Sequence, residues 1–160
     1  MGNIIDRLIT DRAPADVNRI NSLREKWYTA TITKEEMMEW FTDLKGAYNA
    51  SDLNRVGEAM EYISMRLVKA GYGHAMNLKT DWQMSDAFTA ENTKYYLESL
   101  YLLRKWFTTW ETTPPTPDHI AGLTYQEAND IEKILIDIDE LITKMQQNYI
   151  YSGELYAGEV

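Results

Sequence analysis

Cysteine is absent from all 160 residues. That one absence removes disulfides, zinc–thiolate sites, iron–sulfur clusters and thiol nucleophiles together. Histidine is nearly as scarce. His74 and His119 stand far apart, neither in an HExxH or HxH pattern, and a surface or partly buried structural role fits both better than ligation. No run approaches the ~20 apolar residues of a membrane span. The opening MGNIIDRLIT lacks the apolar stretch of a secretory signal, and Asp6 stands where a myristoylation site prefers Ser or Thr. Basic patches are missing as well. With 16 basic against 25 acidic residues and a net charge of −9, the global field disfavours phosphate backbones and anionic lipid. The expectation is therefore a cytoplasmically made protein with no nucleic-acid partner and no membrane insertion. GxSxG, Walker and GxGxxG motifs are also lacking; GYG, Gly71 to Gly73, has two glycines and follows a helix, the wrong setting for a phosphate loop.

What the chain does have is helical periodicity. Its length suits one domain, large enough to bury roughly 70% of its unfolded surface. The spacing predicts a first helix from Pro14 to about Trp27, with Val17, Ile20, Leu23 and Trp27 on one face and Pro14 in the first turn, where its missing N–H is harmless. Thr33 and Glu36 form a capping box for a second helix whose apolar face runs through Met37, Trp40, Phe41 and Leu44 to Tyr48. Ser51 or Asp52 caps a third, carrying Leu53, Val56, Met60, Ile63 and Leu67, and glycine at 71 stops it. A fourth spans about Ala90 to Trp110, with Leu97 and Tyr101 widening its apolar face. Pro114, Pro115 and Pro117 then make a rigid loop. The fifth begins at a second capping box, Thr124 and Glu127. Its seam is Ala128, Ile131, Leu135, Ile138, Ile142, Met145 and Tyr149, widened by Ile134 and Leu141, which suits a helix packed among several others. Between the third and fourth helices, Tyr72, His74, Met76 and Leu78 alternate with small or polar residues. That is a strand's period, and a lone strand needs a partner: NIIDRLI, ELYAGEV or another chain.

Candidates for chemistry are few. Asp137, Asp139 and Glu140 cluster, but Asp137 and Asp139 point about 200° apart on a helix, so a solvated face is expected. Glu127 and Asp130 share a face without the ExxH of a di-iron bundle. Asn49-Ala50-Ser51 matches a glycosylation sequon formally only. In Thr80-Asp81-Trp82 a polar group beside an aromatic is a candidate for sugar stacking; a plug at a helix–strand junction is the plainer reading.

Several long strings carry a likeness. LITDRAPADVNRINSL, LKGAYNASDLNRVGEAMEYI, KTDW, PPTPDHIAGLTYQEANDIEKIL and YSGELYAGEV resemble small, uncharacterised proteins of tailed phages and prophages of Gram-positive gut bacteria, found among virion structural genes near those for tail and fibre. The likeness runs from about Leu8 to Val160. Where relatives often read TDRTQADV, this chain has TDRAPADV. The resemblance implies no catalytic residues. It implies a virion structural protein, tail- or fibre-associated, made in the host cytoplasm and working by self-assembly and protein–protein contact. The expectations are then a mainly α fold: a single domain over 1–160, a helical bundle of four to five main helices with a minor β element near residues 72–80, and short arms at 1–12 and 151–160. No enzyme activity, metal or cofactor is expected. The partners expected are further copies and other virion proteins. A receptor-binding module for a host-surface glycan is the alternative. Trp82, Asp81, Tyr151 and Tyr156 are the candidate contacts for a partner or glycan.

Overall fold

A computed structural model describes residues 3–42, 44–86 and 90–156, the side chains of 90–92 and 149–156 excepted. Five α-helices follow a short 3-10 turn at Ile4–Arg7: α1 (Pro14–Tyr28), α2 (Lys34–Trp40), α3 (Ala50–Lys69), α4 (Ala90–Trp106) and α5 (Tyr125–Tyr156). The mainly helical expectation holds. No strand occurs among the described residues.

The core lies between α3, α4 and α5. Leu53, Val56, Met60, Ile63 and Leu67 of α3 are all buried, as the 3-4 spacing requires. They meet Ile131, Ile134, Leu135, Ile138 and Ile142 of α5, and Tyr96, Leu97, Leu100 and Leu103 of α4. Because α5 packs against two neighbours, its buried face is wider than an a/d seam. Tyr101 of α4, read as core, is exposed. The N-terminal arm is docked: Ile4, Ile5 and Leu8 pack on this core.

The third helix begins one turn earlier than expected. Its cap is Asn49, whose side-chain oxygen accepts the N–H groups of Ser51 and Asp52, while Asp52 accepts the N–H of Asn49. The formal sequon residue is thus a helix cap. At the other end, Gly71 (φ +86°) takes the left-handed position; its N–H bonds Val68 O and the Tyr72 N–H bonds Leu67 O. The second helix is much shorter than its apolar pattern. It ends at Trp40, and the chain turns so that Gly46 lies on the backbone of Asp16 and Val17, where a β-carbon would collide. Beyond it Tyr48 reaches Tyr96, the hydroxyls 2.7 Å apart. The fifth helix runs on to Tyr156, past the Tyr149 at which the seam was read to end.

The expected β element near 72–80 is corrected. The segment is extended and its alternation is real: Met76, Leu78, Thr80 and Trp82 turn inward while Asn77, Lys79 and Asp81 face solvent. Its partner, however, is a helix. Ser64 Oγ accepts the Met76 N–H (3.1 Å), Glu61 accepts that of Leu78 (2.7 Å), and Asn54 accepts that of Trp82 (2.7 Å) and donates to Trp82 O (3.0 Å). Asn54, Gly57, Glu61 and Ser64 recur at 3-4-3 along one edge of α3. Gly57 leaves room for the backbone; a β-carbon there would lie 3.1 Å from the Thr80 methyl. Side chains of one helix face thus supply the acceptors that a neighbouring strand would have supplied. Neither NIIDRLI, which forms the 3-10 turn, nor the helical residues 154–156 pair with it; residues 157–160 of ELYAGEV lie outside the described residues.

Candidate interaction surface

The polar groups that the fold gathers in its interior hold the chain together. Arg12, from the loop before α1, reaches between α3 and α5. Its guanidinium donates to Asp52 (2.8 Å), Glu132 (2.7 Å) and Ile9 O (2.8 Å). Arg55 joins from α3, with bonds to Asp52 (2.5 Å) and Glu132 (2.8 Å). Glu132 also accepts the N–H of Ile9, and Asn129 clamps both the N–H and the carbonyl of Arg12 at 3.0 Å. The side chains of Arg12 and Glu132 are 2% and 0% exposed, so two cations and two anions neutralise each other out of water. The bonds to both carboxylates hold the Arg55 guanidinium well above its ordinary value against the burial that opposes them. Tyr48 lies under Arg12, and burial pushes its phenol and that of Tyr96 upward. Nothing in the sequence pattern marked Arg12 or Glu132; the one available hint was a charge directly beside Ile131 on a helix with a wide apolar face.

The acidic candidates go to separate partners. Asp137 is a correction: it is fully buried, accepting the Thr113 hydroxyl (2.8 Å) and pairing with Lys133, and so pins the proline-rich loop to α5. Asp139 pairs with Arg66 of α3, and Glu140 with Lys144. Glu127 caps its helix through Thr124, whose backbone and side-chain bonds hold it below the ordinary glutamate value. Asp130 stands apart, partial burial raising it above the usual carboxylate range. Among the described residues no three His, Asp or Glu side chains converge on a point that could hold a metal. His74 stacks edge-on against Trp106, and His119 is exposed.

Of the four contact residues expected from sequence, Trp82 is 5% exposed, with the Lys79 ammonium 5.1 Å from its ring centre. It plugs the junction of α3 and the extended segment and offers no open face to a sugar. Asp81 is exposed and bound to Lys79 at 2.8 Å. Tyr151 and Tyr156 are on the helical backbone of α5, and their side chains lie outside the described residues. The structure does not bring the four together as a site.

The accessible aromatic surface is elsewhere. α1 and α2 form a hairpin that packs chiefly on itself. Each start is fixed locally. Pro14 opens α1, where the Asp16 carboxylate accepts the Ala13 N–H; the Thr33–Glu36 capping box opens α2 as the sequence predicts. Between them Ala30 adopts φ +54°, the left-handed turn that glycine usually fills. Arg19 grips Glu39 through two bonds, and Lys26 pairs with Glu36, drawing the helices together. These pairs hold both glutamates below their ordinary values, Glu36 through Lys26 first and the Thr33 N–H second, Glu39 through Arg19. Yet only Leu23 of the hairpin is buried. Trp27 stacks on Trp40 (6.5 Å, 20°) and meets Phe41 edge-on (6.1 Å, 89°), and the cluster faces solvent. Phe41 is 73% exposed, Tyr28 81% and Met38 58%, with Trp27 and Met37 also open. Contiguous apolar surface of this kind marks an interaction site.

One further concavity, of about 870 Å³, lies between α4 and residues 116–121. Leu97, Tyr101 and Ile120 give it apolar walls, and Lys94, Glu98 and His119 a mixed rim. Its polar groups do not converge.

No protein-family model matches the chain. No curated protein and no solved structure matches it either.

Proposed function

We propose that this chain is a non-enzymatic structural protein of a phage virion, a tail- or fibre-associated adaptor or attachment domain. It works by assembly with copies of itself and with other virion proteins, and reaches the virion from the host cytoplasm. The likeness of residues 8–160 to proteins of phage structural modules supports the setting. The observation that carries the mode of action is the α1–α2 hairpin, whose largest side chains lie outside the fold they belong to. Aromatic residues and Met are what interface centres use, because they bury large area at low entropy cost. The interior polar groups favour the same reading: Arg12, Asp52, Arg55 and Glu132 are committed to one another and to the backbone.

The test is composition. Particles induced from a strain carrying the gene are purified and analysed by mass spectrometry. The expected result is the chain present in a fixed ratio to a tail protein. Its absence from intact particles, with the chain abundant in the lysate, contradicts the reading. The glycan alternative loses the residue on which it was built, since Trp82 is buried, and no other observation favours it.

A further inference from the structure

We infer that the aromatic face of the α1–α2 hairpin is covered by the same face of a second copy of this chain, paired about a twofold axis beside Trp27, Trp40 and Phe41. This rests on the reading of the hairpin as an interface and names its occupant.

The first argument is the hairpin's own insufficiency. Helices of 15 and 7 residues are too short to be stable alone, and one buried leucine is a small core for the pair. A second copy laid face to face would give both hairpins the interior that each lacks. The second argument is charge. Residues 14–41 carry four basic and five acidic side chains, a balance of −1 within a chain of −9. The remainder holds nearly all of the excess, so two copies approaching by any other part meet like charge. The hairpin is where they approach with least repulsion. The third argument is that the hairpin's charges already have partners inside it. Arg19 binds Glu39 and Lys26 binds Glu36, which leaves an apolar face ringed by neutralised pairs. Such a face makes no demand for a charged partner and complements itself, the condition for an isologous twofold contact.

The lack of cysteine supplies a clean test. Met38→Cys places a single thiol in the face, and Met65→Cys places one on α3 at equal exposure, 58% and 55% respectively. Under mild oxidation the Met38→Cys chain is expected to form a covalent dimer at micromolar concentration, and the Met65→Cys chain to stay monomeric. Both side chains are exposed, so neither change disturbs folding. A Met38→Glu variant, which sets like charges across the axis, is expected to weaken association at least tenfold while leaving the circular dichroism spectrum unchanged. Raising salt is expected to strengthen pairing of the parent chain by screening the residual repulsion, whereas an interface held by opposite charges would weaken. Equal cross-linking of the two cysteine variants overturns the inference. So does Met38→Glu leaving self-association intact. If Met38→Glu instead reduces incorporation into particles while the parent chain is a monomer at every concentration, the face belongs to a different virion protein: the second-copy inference fails and the interface reading survives.

Discussion

The α3–α5 core and the α1–α2 hairpin are built from the same kind of sequence and end in opposite environments. Ten residues of α3 are buried, one of α1 and none of α2. In both regions apolar residues recur at threes and fours, both have capped starts, and both carry ion pairs between helices. The difference is in what covers the apolar face. For α3 it is α5, α4, the N-terminal turn and the extended segment. For the hairpin, the only cover the chain supplies is the hairpin itself. Periodicity announces that a face exists; whether that face is core or interface depends on chain elsewhere, or on another chain.

The sharpest way to break the comparison is to remove a support from the core. Glu132→Ala leaves two guanidinium groups and the Ile9 N–H without their shared acceptor in a buried place. A loss of about 3–5 kcal/mol in denaturant unfolding is expected. On the hairpin, Phe41→Ser should change the monomer by less than about 1 kcal/mol, because the ring is already in water. Comparable losses at the two positions would mean that the hairpin shares the core after all. Next is the seat of the extended segment. Gly57→Leu pushes a side chain against Thr80 and the Lys79 carbonyl. Overpacking of about 1–3 kcal/mol is expected, with a red shift in Trp82 emission as residues 76–82 lift from α3. No shift would mean that the Asn54, Glu61 and Ser64 contacts do not hold that segment. Smaller still, Ala30→Gly relieves a left-handed alanine in the hairpin turn and should stabilise α1–α2 by roughly 0.5–1 kcal/mol in thermal melts; a loss of stability would show the turn to be different.

The mildest perturbation is acid. Glu36 and Glu39 are held below their ordinary values by Lys26 and Arg19. A carboxylate depressed on folding contributes stability above its unfolded value, and that contribution is lost as pH falls through the lower folded one. The hairpin is therefore expected to loosen as pH falls below the ordinary glutamate value of 4.5. The exciton circular dichroism of the stacked Trp27–Trp40 pair, identified by its loss in Trp40→Phe, reports this. A signal constant down to pH 3 would show that the pairs contribute nothing.

Much of the frame was legible from residues alone. The α1 start, both Thr-x-x-Glu capping boxes, the left-handed stop at Gly71 and the α5 seam all arise from local backbone chemistry, which a sequence states directly. What was not legible depended on distant partners. The period of 76–82 read correctly as one face in and one face out, but a strand and a helix edge bearing Asn54, Glu61 and Ser64 offer the same acceptors, and periodicity cannot tell them apart. Asp137 read as solvated because its partner, Thr113, arrives from a loop 24 residues away. The Arg12–Glu132 bond spans 120 residues, and neither end has a neighbour that signals it. Trp82 illustrates the reverse. Its local company fitted a sugar platform, while tertiary packing made it core. The aromatic hairpin was hidden by its own regularity, since Trp27, Met37 and Phe41 followed the core rule and had nothing to pack under.

The central claim is that the hairpin's apolar face is an interface completed by a second copy. Light-scattering mass of the parent chain after size exclusion, over a hundredfold range of concentration, tests it most directly, with Met38→Glu run alongside. The expected result is a dimer, or a larger assembly of even number, that dissociates on dilution and is lost in the variant. A chain that stays monomeric throughout, or an assembly that the variant leaves unchanged, would contradict it.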